Sequence, residues 1–102
     1  MPTASVIESA PLVHRLTGEK REVDVVVRAT VGEHPLVISL ECIDHSRAAD
    51  VTWVEQMKSM HDHLETNRLV LVSRSGFSEQ ALTLARSLGI STYTPDEACA
   101  VT

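Results

Sequence analysis

Asp24 and Glu41 are the residues whose type and setting could do chemistry in this chain. Asp24 interrupts the run Val23, Val25, Val26, Val27, and Glu41 closes the run from Leu36 to Leu40. Each is therefore expected at or near the buried part of a sheet, on two strands joined by a turn. A buried carboxylate destabilises a fold unless something pairs with it, and the simplest partner that two of them can share is a divalent cation. Mg²⁺ suits such a pair, because it takes hard oxygen ligands and leaves the rest of its octahedron to water and a substrate phosphate. The competing reading is a small structural protein in which each acid is satisfied by a backbone N–H or an arginine.

Other groups with chemical potential are weaker. Cys42, His45, His61 and His63 invite a zinc site, but His61 and His63 are two apart on a helix and point roughly 200° away from each other. His61 falls within an apolar helical face and reads as a satisfied core or border histidine. Trp53, Met57 and Met60 read as core packing. Arg74, ahead of a serine-rich helix start, could meet a phosphate or be an ordinary solvated loop arginine.

The elements that must position Asp24 and Glu41 follow from periodicity and punctuation. Leu12 to Leu16 predicts a short strand with Pro11 at its edge, turning through Thr17-Gly18-Glu19-Lys20. A strand over Arg21 to Arg28, a turn at Gly32-Glu33-His34-Pro35 and a return strand over Leu36 to Glu41 complete an antiparallel meander. The period then changes to about 3.6, with Trp53, Met57, Met60 and Leu64 in phase and Val54 beside them. This predicts a helix of roughly five turns, with Asp50 as N-cap and Asn67 where the chain leaves it. Leu69 to Val72 reads as a central strand buried on both faces. Ser78 as N-cap, with Phe77 and Leu82 as a hydrophobic staple, opens a second helix that Gly89 closes. Ile90 to Tyr93 is a last strand, and Thr94-Pro95 starts a further helix. The expected order is β-β-β-α-β-α-β, a mixed sheet in an α/β domain.

The whole chain is short. Its 102 residues, 43% of them hydrophobic, fit a single globular domain. No apolar run approaches the roughly 20 residues that span a bilayer, and the N-terminus lacks the pattern of a secretory signal. Cys42 and Cys99 stand in no metal-type spacing and suit free thiols in a reducing compartment, so a cytoplasmic location is expected. A net charge of -5 gives no general attraction to nucleic acid or an anionic membrane. A bound ion would reverse the local field at an acidic site.

Taken in chain order, VDVVV on a strand, a strand ending in ECI, a helix containing EQM, the strand LVLVSR and then SGFSEQALTLARSLGI resemble one known family. It is the Mrr-like, type IV restriction endonuclease branch of the PD-(D/E)xK restriction-endonuclease-like fold, and the resemblance covers Arg21 to Glu97. It implies a three-layer core and Mg²⁺- or Mn²⁺-dependent hydrolysis of DNA phosphodiesters. Asp24 then matches the family's first metal-binding acid and Glu41 its second, with the Cys42 carbonyl as a further ligand. Gln56 falls where such sequences carry a helix glutamine near the site.

The family's lysine, two places after the second acid, is Ile43 here, and isoleucine can neither bond to water nor stabilise developing negative charge. His45 or Arg47, just beyond that strand, could supply the positive charge instead or be an ordinary surface residue. Lys58, one of only two lysines, lies about 160° round the helix from Gln56 and cannot share its site. The alternative function is a nuclease-fold module impaired in catalysis that binds DNA or protein. The family's N-terminal helix is expected to be missing or minimal, with Glu8 the one acid in that stretch and the domain over 1–102 truncated at one or both ends. A sheet face left uncovered in this way favours a homodimer.

Overall fold

The computed structural model describes residues 3–97. Its elements are β1 (Thr3–Val13), β2 (Lys20–Val31), β3 (His34–Ile43), α1 (Val51–Asp62), β4 (Arg68–Ser73), α2 (Glu79–Ser87) and β5 (Ser91–Tyr93). They follow the expected order, and the five strands lie in one sheet in the sequence β1-β2-β3-β4-β5. The first three are antiparallel, whereas β3, β4 and β5 run parallel. The sheet is therefore mixed, and β3 is both its centre and the seam between its two halves.

The meander closes through tight turns. Gly32 and Glu33 alone separate the paired residues Val31 and His34, and Gly32 has φ 63°. That positive φ at the first loop position is what a two-residue hairpin matching the sheet's twist needs. β1 is much longer than Leu12 to Leu16 and starts earlier. Ser9 explains the difference, because its φ of 51° breaks the alternation of the strand. Ala10 and Leu12 become buried while Val6 and Ile7, before the break, stay exposed. No single period of two runs through the segment to be read.

Both helices cross over to the same side of the sheet. Asp50 caps α1 by accepting from Trp53 N–H, and Ser78 caps α2 by accepting from Ala81 N–H, as expected. α2 ends in a Schellman arrangement, with Ile90 N–H donating to Ala85 O, Gly89 N–H to Arg86 O, and Gly89 at φ 72°. Val54, Leu69, Leu71, Ala81, Ala85 and Ile90 form one buried cluster between the helices and β4. Ala10, Leu12, Val23, Val26, Val37 and Leu64 form another beneath the end of α1. Two crossovers of one hand that step in one direction deliver their helices to one face. The described residues thus build two layers, helices on a sheet, and residues 3–13 form the edge strand β1.

α1 is shorter than five turns, since it ends at Asp62 with His63 as C-cap. Residues 63–67 are used otherwise. Asn67 N–H donates to Val37 O at 2.8 Å and Asn67 Oδ1 accepts from Val37 N–H at 2.7 Å, so this segment docks on β3 before β4 begins. Residues 95–97 are helical, and the rest of the helix expected from Pro95 lies outside the described residues, as does Cys99. No helix among the described residues is long and apolar enough to cross a membrane.

Candidate active site

The site grows from a gap in the sheet. The β2–β3 ladder runs from Val31↔His34 to Val25↔Leu40 and stops one step short of Asp24 and Glu41. The β1–β2 ladder also omits Asp24, which would face the strained Ser9. Here the two carboxylates stand in for the missing ladder. Asp24 N–H donates to Glu41 Oε1 at 3.1 Å, and Cys42 N–H donates to Asp24 Oδ2 at 2.7 Å. Two backbone donors that the broken pairing would leave orphaned are thereby satisfied. The interruption also explains why Val23 and Val26, three residues apart, share one core cluster.

The two acids sit in different surroundings. Asp24 is exposed, whereas Glu41 is 6% exposed and is held from the helix layer as well. His61 Nε2 lies 2.9 Å from Glu41 Oε2, and a carboxylate only accepts, so this imidazole nitrogen is the donor. His61 Nδ1 is 2.7 Å from Thr66 Oγ1, which is itself 2.7 Å from Ser39 Oγ. Glu41, His61 and Ser39 are all buried, so a continuous polar chain runs beneath α1 from the gap in the sheet to residue 66. His61 matches its expectation as a satisfied core histidine. Its partner was hidden by sequence distance, although the signal existed: His61 lies about 20° from Val54 around α1, on the buried stripe, where an imidazole needs a polar partner.

A cleft of about 260 Å³ opens at the end of β3, lined among others by Ile43, His45, Arg47, Trp53 and Gln56. His45, Arg47 and Gln56 are thus brought together, and Ile43 stands with them where the lysine is missing. Asp24 and Glu41 do not line this cleft; they adjoin it through β3, Glu41 being two residues before Ile43. Lys58 is elsewhere, paired with Asp62 at 2.7 Å. Arg74 pairs with Asp44 at 3.0 Å on the open surface, an exposed ion pair of small energetic weight. The Cys42 thiol is pushed above its ordinary pKa by partial burial first, then by the charges of Asp24 and Glu41.

No group of three or more His, Cys, Asp and Glu side chains that could hold a metal ion occurs among the described residues. That donor set does not fit zinc, which takes three or four such ligands. It does fit Mg²⁺, which is bound through one or two carboxylates plus substrate phosphates and keeps several waters. A carboxylate offers about four acceptor positions. Glu41 uses two of them and Asp24 one in the hydrogen bonds above, so both keep lone pairs for a hard cation.

Comparisons with known proteins agree with this architecture. The crystal structure of AF1548, a protein of unknown function, superposes with a TM-score of 0.74 at 16% identity, covering 89% of this chain and 49% of that one. A repair endonuclease from Pyrococcus abyssi gives a TM-score of 0.54 at 26% identity, covering 84% of this chain and 38% of that one. The MspJI restriction endonuclease, solved in complex with a 27-mer oligonucleotide, gives 0.59 at 20% identity, covering 95% and 22%. This chain spans less than half the length of each. No curated protein matches the sequence. The Mrr_cat restriction endonuclease family matches over residues 12–98, which takes in every element from the end of β1 onward, and the chain belongs to that family.

Proposed function

We propose that this domain is a metal-dependent DNA endonuclease in which Asp24 and Glu41 hold Mg²⁺ or Mn²⁺, with the Cys42 carbonyl as a further ligand. The observation that supports the reading is the break in the β2–β3 ladder at which each acid bonds to the backbone beside the other, in a restriction endonuclease family member. A bound divalent ion there would acidify a water and neutralise charge on the phosphoryl oxygens. The protein's own part is positional. Glu41 is fixed by two hydrogen bonds, while Asp24 stays open to solvent and to substrate. Arg47 supplies positive charge to the DNA backbone in the adjoining cleft, and His45 and Gln56 supply hydrogen-bonding groups to orient it.

The family's ammonium is absent, and Ile43 supplies neither a proton nor charge. That substitution favours a second reading, in which the domain binds DNA and metal without cutting. Purified protein with Mg²⁺ or Mn²⁺ should nick supercoiled plasmid, and Asp24→Ala should abolish the nicking. Nicking that survives Asp24→Ala would sink the proposed site. Titration calorimetry with Mn²⁺ and with a DNA duplex separates the two readings, since binding of both without cleavage supports the second.

A further inference from the structure

We infer that His61 is a positioning residue for the metal site, holding the Glu41 carboxylate in the orientation in which it binds the ion. The inference rests on the reading of Asp24 and Glu41 as metal ligands and adds a residue from another layer of the fold. His61 is 4% exposed and reaches Glu41 Oε2 from α1, while Asp24 N–H holds Glu41 Oε1 from β2. With one oxygen fixed from the sheet and the other from the helix, the plane of the carboxylate is set. A glutamate with a single anchor would keep rotating about its last torsion, which is broad and has no strong preference.

His61 is itself held. Thr66 Oγ1 lies 2.7 Å from Nδ1, a second hydrogen bond on the other side of the ring that fixes its plane. Ser39 Oγ, 2.7 Å from Thr66 Oγ1, completes the chain. Ser39 and Glu41 are alternate residues of β3, so the strand carries both the ligand and the anchor of the group that orients it. This also accounts for a histidine, a threonine and a serine in a layer otherwise filled by Val26, Val37 and Leu64. A merely stable core at this place would be met by apolar side chains.

The test is Mn²⁺ affinity by titration calorimetry on the intact chain, with melting temperature as the check on folding. His61→Ala should weaken Mn²⁺ binding by about 10- to 100-fold. His61→Gln, whose amide N–H can replace the imidazole donor, should recover most of that loss. Thr66→Val keeps the shape but frees the ring, and should weaken binding to a lesser extent; it carries the test if His61→Ala does not fold. Leu64→Ala, equally buried and apolar, should lower the melting temperature and leave Mn²⁺ affinity unchanged. Unchanged or tighter Mn²⁺ binding in His61→Ala, or in Thr66→Val where His61→Ala is unfolded, would overturn the inference while leaving Asp24 and Glu41 as ligands. A parent protein that binds no Mn²⁺ overturns the metal reading, and the inference falls with it.

Discussion

Asp24 and Glu41 each satisfy the backbone beside the other: the Asp24 amide donates to the Glu41 carboxylate, and the Asp24 carboxylate accepts from the amide of Cys42, the residue after Glu41. The two acids therefore serve the fold as well as any chemistry. Replacing either one exposes a donor as it removes a ligand, so activity assays need a folding control beside them. Asparagine at 24 keeps an acceptor for Cys42 N–H and is the gentler probe.

Ile43→Lys places an ammonium in the cleft, two residues from Glu41 on the same strand. If the acids hold a catalytic ion, the Mg²⁺-dependent nicking rate should rise by about 10²-fold, at the low end of what a positioned proton-transfer group contributes. The plasmid assay measures it directly. A folded Ile43→Lys protein that nicks no faster would show that something besides the lysine limits this site.

Arg47→Ala should weaken duplex binding to a similar degree for unrelated sequences. A phosphate contact carries no base information, and its loss should reduce the slope of log K against log salt by about 1. Fluorescence anisotropy with labelled duplexes at several salt concentrations gives both quantities. A change confined to one sequence would instead assign Arg47 to base recognition.

Cys42 reports on the ion without any turnover. Its thiol pKa is raised by burial and by the neighbouring acids, so at pH 8 less of it is thiolate than in a free cysteine, and alkylation by iodoacetamide should be correspondingly slow. Mg²⁺ bound at Asp24 and Glu41 would cancel part of that negative field and speed the reaction severalfold. A Cys99→Ser background isolates the signal, which mass spectrometry follows over time. An unchanged rate at saturating Mg²⁺ would place the ion elsewhere.

Leu71→Ala tests the core that carries β4 beneath the helices. Leu71 is fully buried in the cluster with Val54, Ala81 and Ala85, and its truncation should cost about 2–5 kcal/mol in urea unfolding. Val6→Ala, at a side chain 66% exposed, should stay within about 0.5 kcal/mol.

Local pattern determined most of the frame. The caps at Asp50 and Ser78, the glycine stop at Gly89, the β-rich run around Asp24 and the short apolar run of β4 each rest on interactions within a few residues, and such interactions are written in neighbouring letters. The order of elements and the mixed sheet follow from them. That Asp24 and Glu41 fall on neighbouring strands was legible too, because two acids interrupt two successive apolar runs.

What the letters did not carry is set by contacts across the chain. The early start of β1 depends on one positive φ at Ser9 that switches faces mid-strand. The early end of α1 depends on Asn67 docking against Val37, 30 residues away in sequence. The cleft gathers Ile43, His45, Arg47 and Gln56 only because α1 folds back over the end of β3. The Glu41–His61 bond spans 20 residues and two layers. By itself the sequence determined which acids would want a partner; the tertiary structure decided that those partners are two backbone amides and, for Glu41, an imidazole, because only packing α1 on the sheet brings a buried side-chain donor within reach of that buried carboxylate.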